Sequence, residues 1–205
     1  MDVSDSTTAE RDSASGLQAA LDAARAEAAV LREEVLVLRR RLAEAELLAD
    51  RDPLAPVLNR RAFLRELSRT LAYCERYEAV ASLIFFDMDE FKAVNDSFGH
   101  AAGDAALQAV AVTLSEHVRE SDVVGRLGGD EFAVILAQAG REPAEAKAAD
   151  LKRRIEAEPA VHGGSAIPLR VTYGVRTFER GMEAAQMLAE ADAAMFVRKS
   201  LRQAG

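Results

Sequence analysis

An α+β fold with a mixed or antiparallel sheet, preceded by a long helix, is what the sequence predicts. Three observations lead there. Short apolar runs alternate with amphipathic stretches from residue 52 onward, and two helical stretches separate the first two of those runs. A Gly-Gly pair then joins two apolar runs in the middle of the chain as a hairpin. Ahead of all this, apolar residues repeat in heptads with charged flanks. The chain therefore divides into a disordered start (1–15), a parallel coiled coil (16–50) and a folded domain (51–205).

Each element has its own signal. Residues 1–15 are rich in Ser, Thr, Asp and Ala, which cannot build a core. From 16 to 48, Leu17, Ala24, Leu31, Leu38 and Ala45 fall at d, and Leu21, Ala28, Val35, Leu42 and Ala49 at a. The e and g charges pair Glu27 with Arg32, Glu34 with Arg39 and Arg41 with Glu46 across a parallel dimer. A lone amphipathic helix lying on the folded domain is the other reading, and it leaves those flanking charges unexplained. Asp52-Pro53 and Pro56 stop the helix. A helix over 62–77 follows, apolar at Phe63, Leu64, Leu67, Leu71 and Ala72. Residues 80–86 form a buried strand bounded by Asp87, and Asp89 is placed to cap a short helix. Gly99 and Gly103 interrupt that helix, and Asp104 opens a long one through Val118. The hairpin spans 122–137, its Gly128-Gly129 turn suited to positive φ, with Asp130 and Glu131 at the first positions of the returning strand. A helix over 144–157, a Gly163-Gly164 turn, a strand over 169–175 and a helix over 182–201 complete the chain. The last helix is expected to bury Met187, Leu188, Ala191, Met195 and Phe196.

Composition sets limits on function. The 205 residues allow one ordinary domain plus something smaller, and a net charge of −8 argues against a broad nucleic-acid surface. The single Cys74 fits a reducing cytoplasm, and no apolar run is long enough to span a bilayer. The polar, acidic residues 1–15 are unlike a signal peptide, so a cytoplasmic protein without membrane contact is expected. No P-loop or dinucleotide glycine fingerprint occurs. Asp87 at one strand end and Asp130 after the hairpin turn instead offer hard oxygens to a divalent cation. A fold seeking only stability rarely sets adjacent carboxylates such as Asp130 and Glu131 on an otherwise apolar strand.

Arg126-Leu127-Gly128-Gly129-Asp130-Glu131-Phe132 resembles the signature of the GGDEF family, the diguanylate cyclases, and the resemblance runs from about Asp52 to about Gln203. It implies the ferredoxin-like palm of nucleotidyl cyclases. It implies condensation of two GTP into cyclic di-GMP with release of pyrophosphate, and the heptads over 16–50 supply the homodimer across which two half-sites would meet. By resemblance, Asp87, Asp130 and the carbonyl of Met88 are ligands of magnesium or manganese, two ions per GTP half-site, and Glu131 is the second catalytic acid beside Asp130. The N–H groups of Glu90, Phe91 and Lys92, with Lys199, would hold the triphosphate. Asn95 and Asp104 match the guanine-reading pair, and Arg119 and Asp122 match an inhibitory Arg-x-x-Asp site for the product. His100 is assigned a structural role, and His117 and His162 show no ligand spacing. The chain departs from the family in two places. It has Ala55-Pro56-Val57 where Thr-Gly-Leu is usual, and Gln203 where an arginine follows the phosphate lysine. The rival function is an idle receptor that binds cyclic di-GMP and signals through its coiled coil, with an upstream signalling protein possible in either case. A purely structural coiled-coil scaffold comes last, because it leaves the acids unused.

Overall fold

The computed structural model describes residues 27, 31–39, 41 and 50–203. The chain divides into two compact units, Met1–Ala49 and Asp50–Gly205. The expected disorder of 1–15 lies outside the described residues, as does most of the expected helix over 16–48. Residues 31–39 are helical and are named α1. Along α1, Leu31, Val35 and Leu38 expose about half their surface, and Leu36 and Val37 are exposed beside them. No helix among the described residues is long and apolar enough to cross a membrane.

The second unit starts with the two-residue strand β1 (Leu58–Asn59) and helix α2 (Arg60–Tyr77). Asn59 caps α2 by accepting from the Ala62 N–H at 3.0 Å. Strand β2 (Ala81–Met88), the helix pair α3 (Phe91–Phe98) and α4 (His100–Glu116), and the strands β3 (Val123–Arg126) and β4 (Glu131–Ala137) follow. Helix α5 (Arg141–Ala157), the small hairpin β5 (Ala160–His162) and β6 (Ser165–Ile167), strand β7 (Val171–Thr177) and helix α6 (Ala184–Gln203) close the unit. The main sheet runs β1-β3-β4-β2-β7, antiparallel except for the parallel edge pair β1–β3. Without that edge, the βαββαβ order is the ferredoxin-like arrangement.

Strand alternation sorts the side chains onto two faces. Ile84, Phe86, Met88, Phe132 and Val134 join one core cluster with residues of α4 and α5. Leu83, Phe85, Ala133 and Ile135 join the other, with residues of α2 and α6. At Gly174 the backbone of α6 comes so near β7 that a Cβ would lie 2.1 Å from the Ala191 carbonyl oxygen. Only glycine permits that approach.

Several boundaries differ from the sequence reading. Gly128 and Gly129 do not take positive φ; they sit in a loop over 127–130 longer than a two-residue turn. A Cβ at Gly128 would fall 2.2 Å from Glu131 Oε2, so any larger residue there would push the Glu131 carboxylate aside. Asp130 lies in that loop, and β4 begins at Glu131. Helix α4 starts at His100, so Asp104 does not open it and Gly103 lies inside it. Glu90, with φ of 58°, is the N-cap of α3, while Asp89 accepts from Thr172 Oγ1 at 2.8 Å. Strand β7 lies two residues later than expected, and β1 and the β5–β6 sheet are additions. Phe196 is 65% exposed and Ala72 is exposed too, because each points away from the sheet that its helix covers.

Candidate active site

Two neighbouring strands bring the acids together. In the β2–β4 ladder Asp87 lies opposite Glu131. Both occupy odd positions, so both belong to the face covered by α2 and α6. The Met88 N–H donates to the Asp130 carbonyl at 3.1 Å, which ties the loop to the end of β2. Lys199, three turns along α6 from Leu188, donates to Asp87 Oδ1. A cation therefore already sits against one of the two carboxylates expected to hold metal.

The electrostatics are strained in one direction. Burial pushes the Asp87 carboxyl up; the Lys199 ammonium opposes this, while Asp130 and Asp89 add to it. Burial also raises Glu131, reinforced by Asp130, Asp192 and Asp87 and opposed by Arg60. Both acids thus gain from added positive charge. Among the described residues no group of three or more acidic, histidine or cysteine side chains clusters around one point. Asp87, Asp130 and the Met88 carbonyl are nonetheless a hard, all-oxygen donor set. It fits a cation that takes its other ligands from phosphate and water.

Two arginines hold the loop by its backbone. Arg126 Nε and Nη2 donate to the Gly129 carbonyl at 3.2 and 2.7 Å, and Arg60 Nη1 donates to the Leu127 carbonyl at 3.0 Å. Arg126 Nη1 also donates to Asp52 Oδ1 at 3.1 Å. Asp52 in turn accepts from the Leu54 and Ala55 N–H groups at 3.0 and 2.9 Å. The altered Ala55-Pro56-Val57 segment therefore folds as a closed turn, with Ala55 and Val57 buried. The sequence reading gives Asp52, Arg60, Arg126 and Asp192 no role in the site. Asp52 and Arg126 are 74 residues apart, and no local pattern links them.

The other expected residues fall in three places. Glu90 turns the chain from β2 into α3, leaving the first-turn N–H groups of Phe91 and Lys92 without intrahelical partners. The half-buried Asn95 lies on α3 against Gly103, and Asp104 is the next residue of α4, exposed. Arg119 and Asp122 stand at the far end of β3–β4 from the acids, beside a cleft of about 500 Å³ that Gln138, Lys147 and Asp150 also line. Asp122 is already engaged there. It accepts from the Ala137 N–H at 3.1 Å and the Arg119 N–H at 3.0 Å. The side chain of Gln203 lies outside the described residues.

Comparison with known proteins bears on the family and the fold. Residues 49–204 match the family model described as the GGDEF domain of diguanylate cyclases. The diguanylate cyclase TpbB of Pseudomonas aeruginosa is 37% identical over 153 residues, 74% of this chain and 35% of that protein. The chain thus spans about a third of the length of this relative. The coiled coil and GGDEF domain of DgcB from Caulobacter crescentus, solved with c-di-GMP, superposes with a TM-score of 0.76 at 26% identity, covering 86% of this chain and 94% of that one. The diguanylate cyclase SiaD of Pseudomonas aeruginosa, solved with its activator SiaC, gives 0.73 at 28% identity, covering 96% and 76%.

Proposed function

The chain belongs to the GGDEF family, and from that premise we propose that it is a diguanylate cyclase condensing two GTP into cyclic di-GMP and two pyrophosphates. The observation that carries this is the pairing of Asp87 with Glu131 at one sheet end, with Asp130 beside them and Lys199 alongside. In each of two equivalent steps the 3′-oxygen of one GTP attacks the α-phosphorus of the other. The bond from that phosphorus to the bridging oxygen breaks, and pyrophosphate leaves. The hydroxyl proton passes to a base, and Glu131 is the carboxylate we assign to it.

Asp87, Asp130 and the Met88 carbonyl are the groups we assign to magnesium or manganese, whose chemistry there is neutralisation of the triphosphate and activation of the hydroxyl. The N–H groups of Glu90, Phe91 and Lys92 orient the outer phosphates, and Lys199 exchanges Asp87 for a phosphate oxygen as substrate enters. Asn95 and Asp104 read the guanine edge. Two such half-sites must face each other. The exposed Leu31, Val35 and Leu38 of α1 support a parallel coiled coil as the device that joins them. A signalling protein acting through residues 1–49 is the input we infer, since SiaD is solved with an activator.

Control by product belongs to Arg119 and Asp122. Strand β4 has seven residues, so at ~3.3 Å per residue the cleft beside them lies roughly 20–30 Å from the acids, too far to compete with GTP. Inhibition is then non-competitive. The acid end favours an enzyme over an idle receptor, which has no use for a loop held at two carbonyls. Purified protein incubated with GTP and magnesium or manganese should yield cyclic di-GMP and pyrophosphate. Binding of cyclic di-GMP with no turnover of GTP would replace the enzyme by the receptor.

A further inference from the structure

Gly103 lies inside α4, buried, in a position where alanine is the better helix former. A Cβ built there would fall 2.0 Å from Asn95 Oδ1, 3.0 Å from Asn95 Cγ and 3.3 Å from Phe91 Cζ. The atoms it meets belong to two groups of the proposed GTP site: the amide that reads the base and the residue that opens the phosphate-holding helix. Asp104, the second base reader, is the next residue. The linking Gly99, with φ of 84°, folds α4 back onto α3; the Gly103 N–H donates to the Gly99 carbonyl at 3.2 Å, and the Gly99 N–H to the Asn95 carbonyl at 2.9 Å. Gly99 thus holds the Asn95 backbone, and the bare surface of Gly103 leaves room for the Asn95 amide.

We infer that Gly103 is a positioning residue for guanine selection, holding the Asn95 amide in its reading orientation by the absence of a side chain. The inference rests on the cyclase reading, in which Asn95 and Asp104 contact the base. It goes beyond that reading by adding a residue that touches no substrate. The atom nearest the missing Cβ is the tip of a flexible, half-buried side chain, not backbone. Alanine at 103 therefore turns the Asn95 amide aside and leaves the helix pair folded. Its effect falls on base recognition, because the acids and Lys199 belong to other elements.

The test is a mutant cycle on binding. Affinities for 3′-deoxy-GTP and 3′-deoxy-ATP, which lack the attacking hydroxyl and cannot condense, are measured by calorimetry for the wild type, Gly103→Ala, Asn95→Ala and the double variant. Gly103→Ala should bind 3′-deoxy-GTP about tenfold more weakly, the scale of one lost hydrogen bond, while 3′-deoxy-ATP changes little and the melting temperature does not fall. In the Asn95→Ala background the same substitution should change nothing, because the group it displaces is gone. Wild-type affinity in Gly103→Ala, or an equal loss in the Asn95→Ala background, overturns the inference and leaves the cyclase reading standing. A wild-type chain that binds both nucleotides equally, or neither, overturns both.

Discussion

The two ends of the β3–β4 hairpin carry charge in opposite ways. At the loop end, Asp87 lies opposite Glu131 with Asp130 next in the chain, burial raises Asp87 and Glu131, and two arginines fix the loop through the Leu127 and Gly129 carbonyls. At the other end, the oxygens of Asp122 are satisfied by backbone N–H groups, and Arg119 is exposed. The first end stores unfavourable charge in a fixed frame. The second is electrostatically quiet and built from ordinary strand-end capping. Fixed, like-charged, half-buried oxygens cost stability and are suited to a ligand that brings positive charge. A satisfied strand end with a free-standing guanidinium is suited to an anion that need not remake the fold.

The largest test of this contrast is at the loop end. Asp130→Asn or Glu131→Gln should lower the rate of cyclic di-GMP formation by about a hundredfold or more with the fold intact, as removal of preorganised electrostatic groups commonly does. Near-normal rates with divalent cation present would dissolve the distinction. Next comes the frame. Arg126→Lys keeps the charge but loses the two-nitrogen grip on Gly129, and should lower kcat about tenfold with little change in KM, on the scale of one charge-assisted hydrogen bond. A change confined to KM would mean that the frame serves binding rather than the reacting acids.

At the quiet end, Arg119→Ala should remove inhibition by added product, read as the ratio of rates with and without it. Asp122→Ala should also lose about 1 kcal/mol of stability, read by denaturant unfolding, because the Ala137 N–H loses its acceptor. Equal stability in the two variants would contradict the capping role. The smallest effect is pH dependence. A carboxyl raised in the folded state makes that state bind more protons than the unfolded chain. Its penalty is therefore absent below the ordinary carboxylate range and grows as pH rises through the raised values. In the absence of divalent cation, Glu131→Gln should gain stability relative to wild type as pH rises through that window, followed by thermal melts. A difference that shrinks with rising pH would reverse the assignment.

Much of this is legible in the sequence. Helical periodicity locates α2, α4 and α6, and short apolar runs locate the long strands, because burial imposes a period of 3.6 on a covered helix and leaves a strand covered on both faces continuously apolar. The signature contains Asp130 and Glu131, and the end of the first apolar run gives Asp87, while Asp192 carries no such signal. What failed was local. Gly128 and Gly129 read as a positive-φ turn because that is the commonest use of paired glycine, yet Gly128 serves to clear Glu131. Asp104 read as a helix start because a carboxylate before an apolar run caps many helices. In the structure Gly99 sets the start four residues earlier.

The sequence by itself determined the heptads, the order of the helices and the longer strands, and the identity of the acids. These depend on residue type and on spacing along the chain. Only the tertiary structure decided which of those residues meet. Asp87 faces Glu131 because of a β2–β4 register, Lys199 reaches Asp87 across 112 residues, and Arg126 joins Asp52 to the Gly129 carbonyl. The bareness of Gly103 matters only because α3 folds back onto α4. Such contacts follow from the one packing that buries both faces of the sheet, a property of the whole chain that no window of sequence contains.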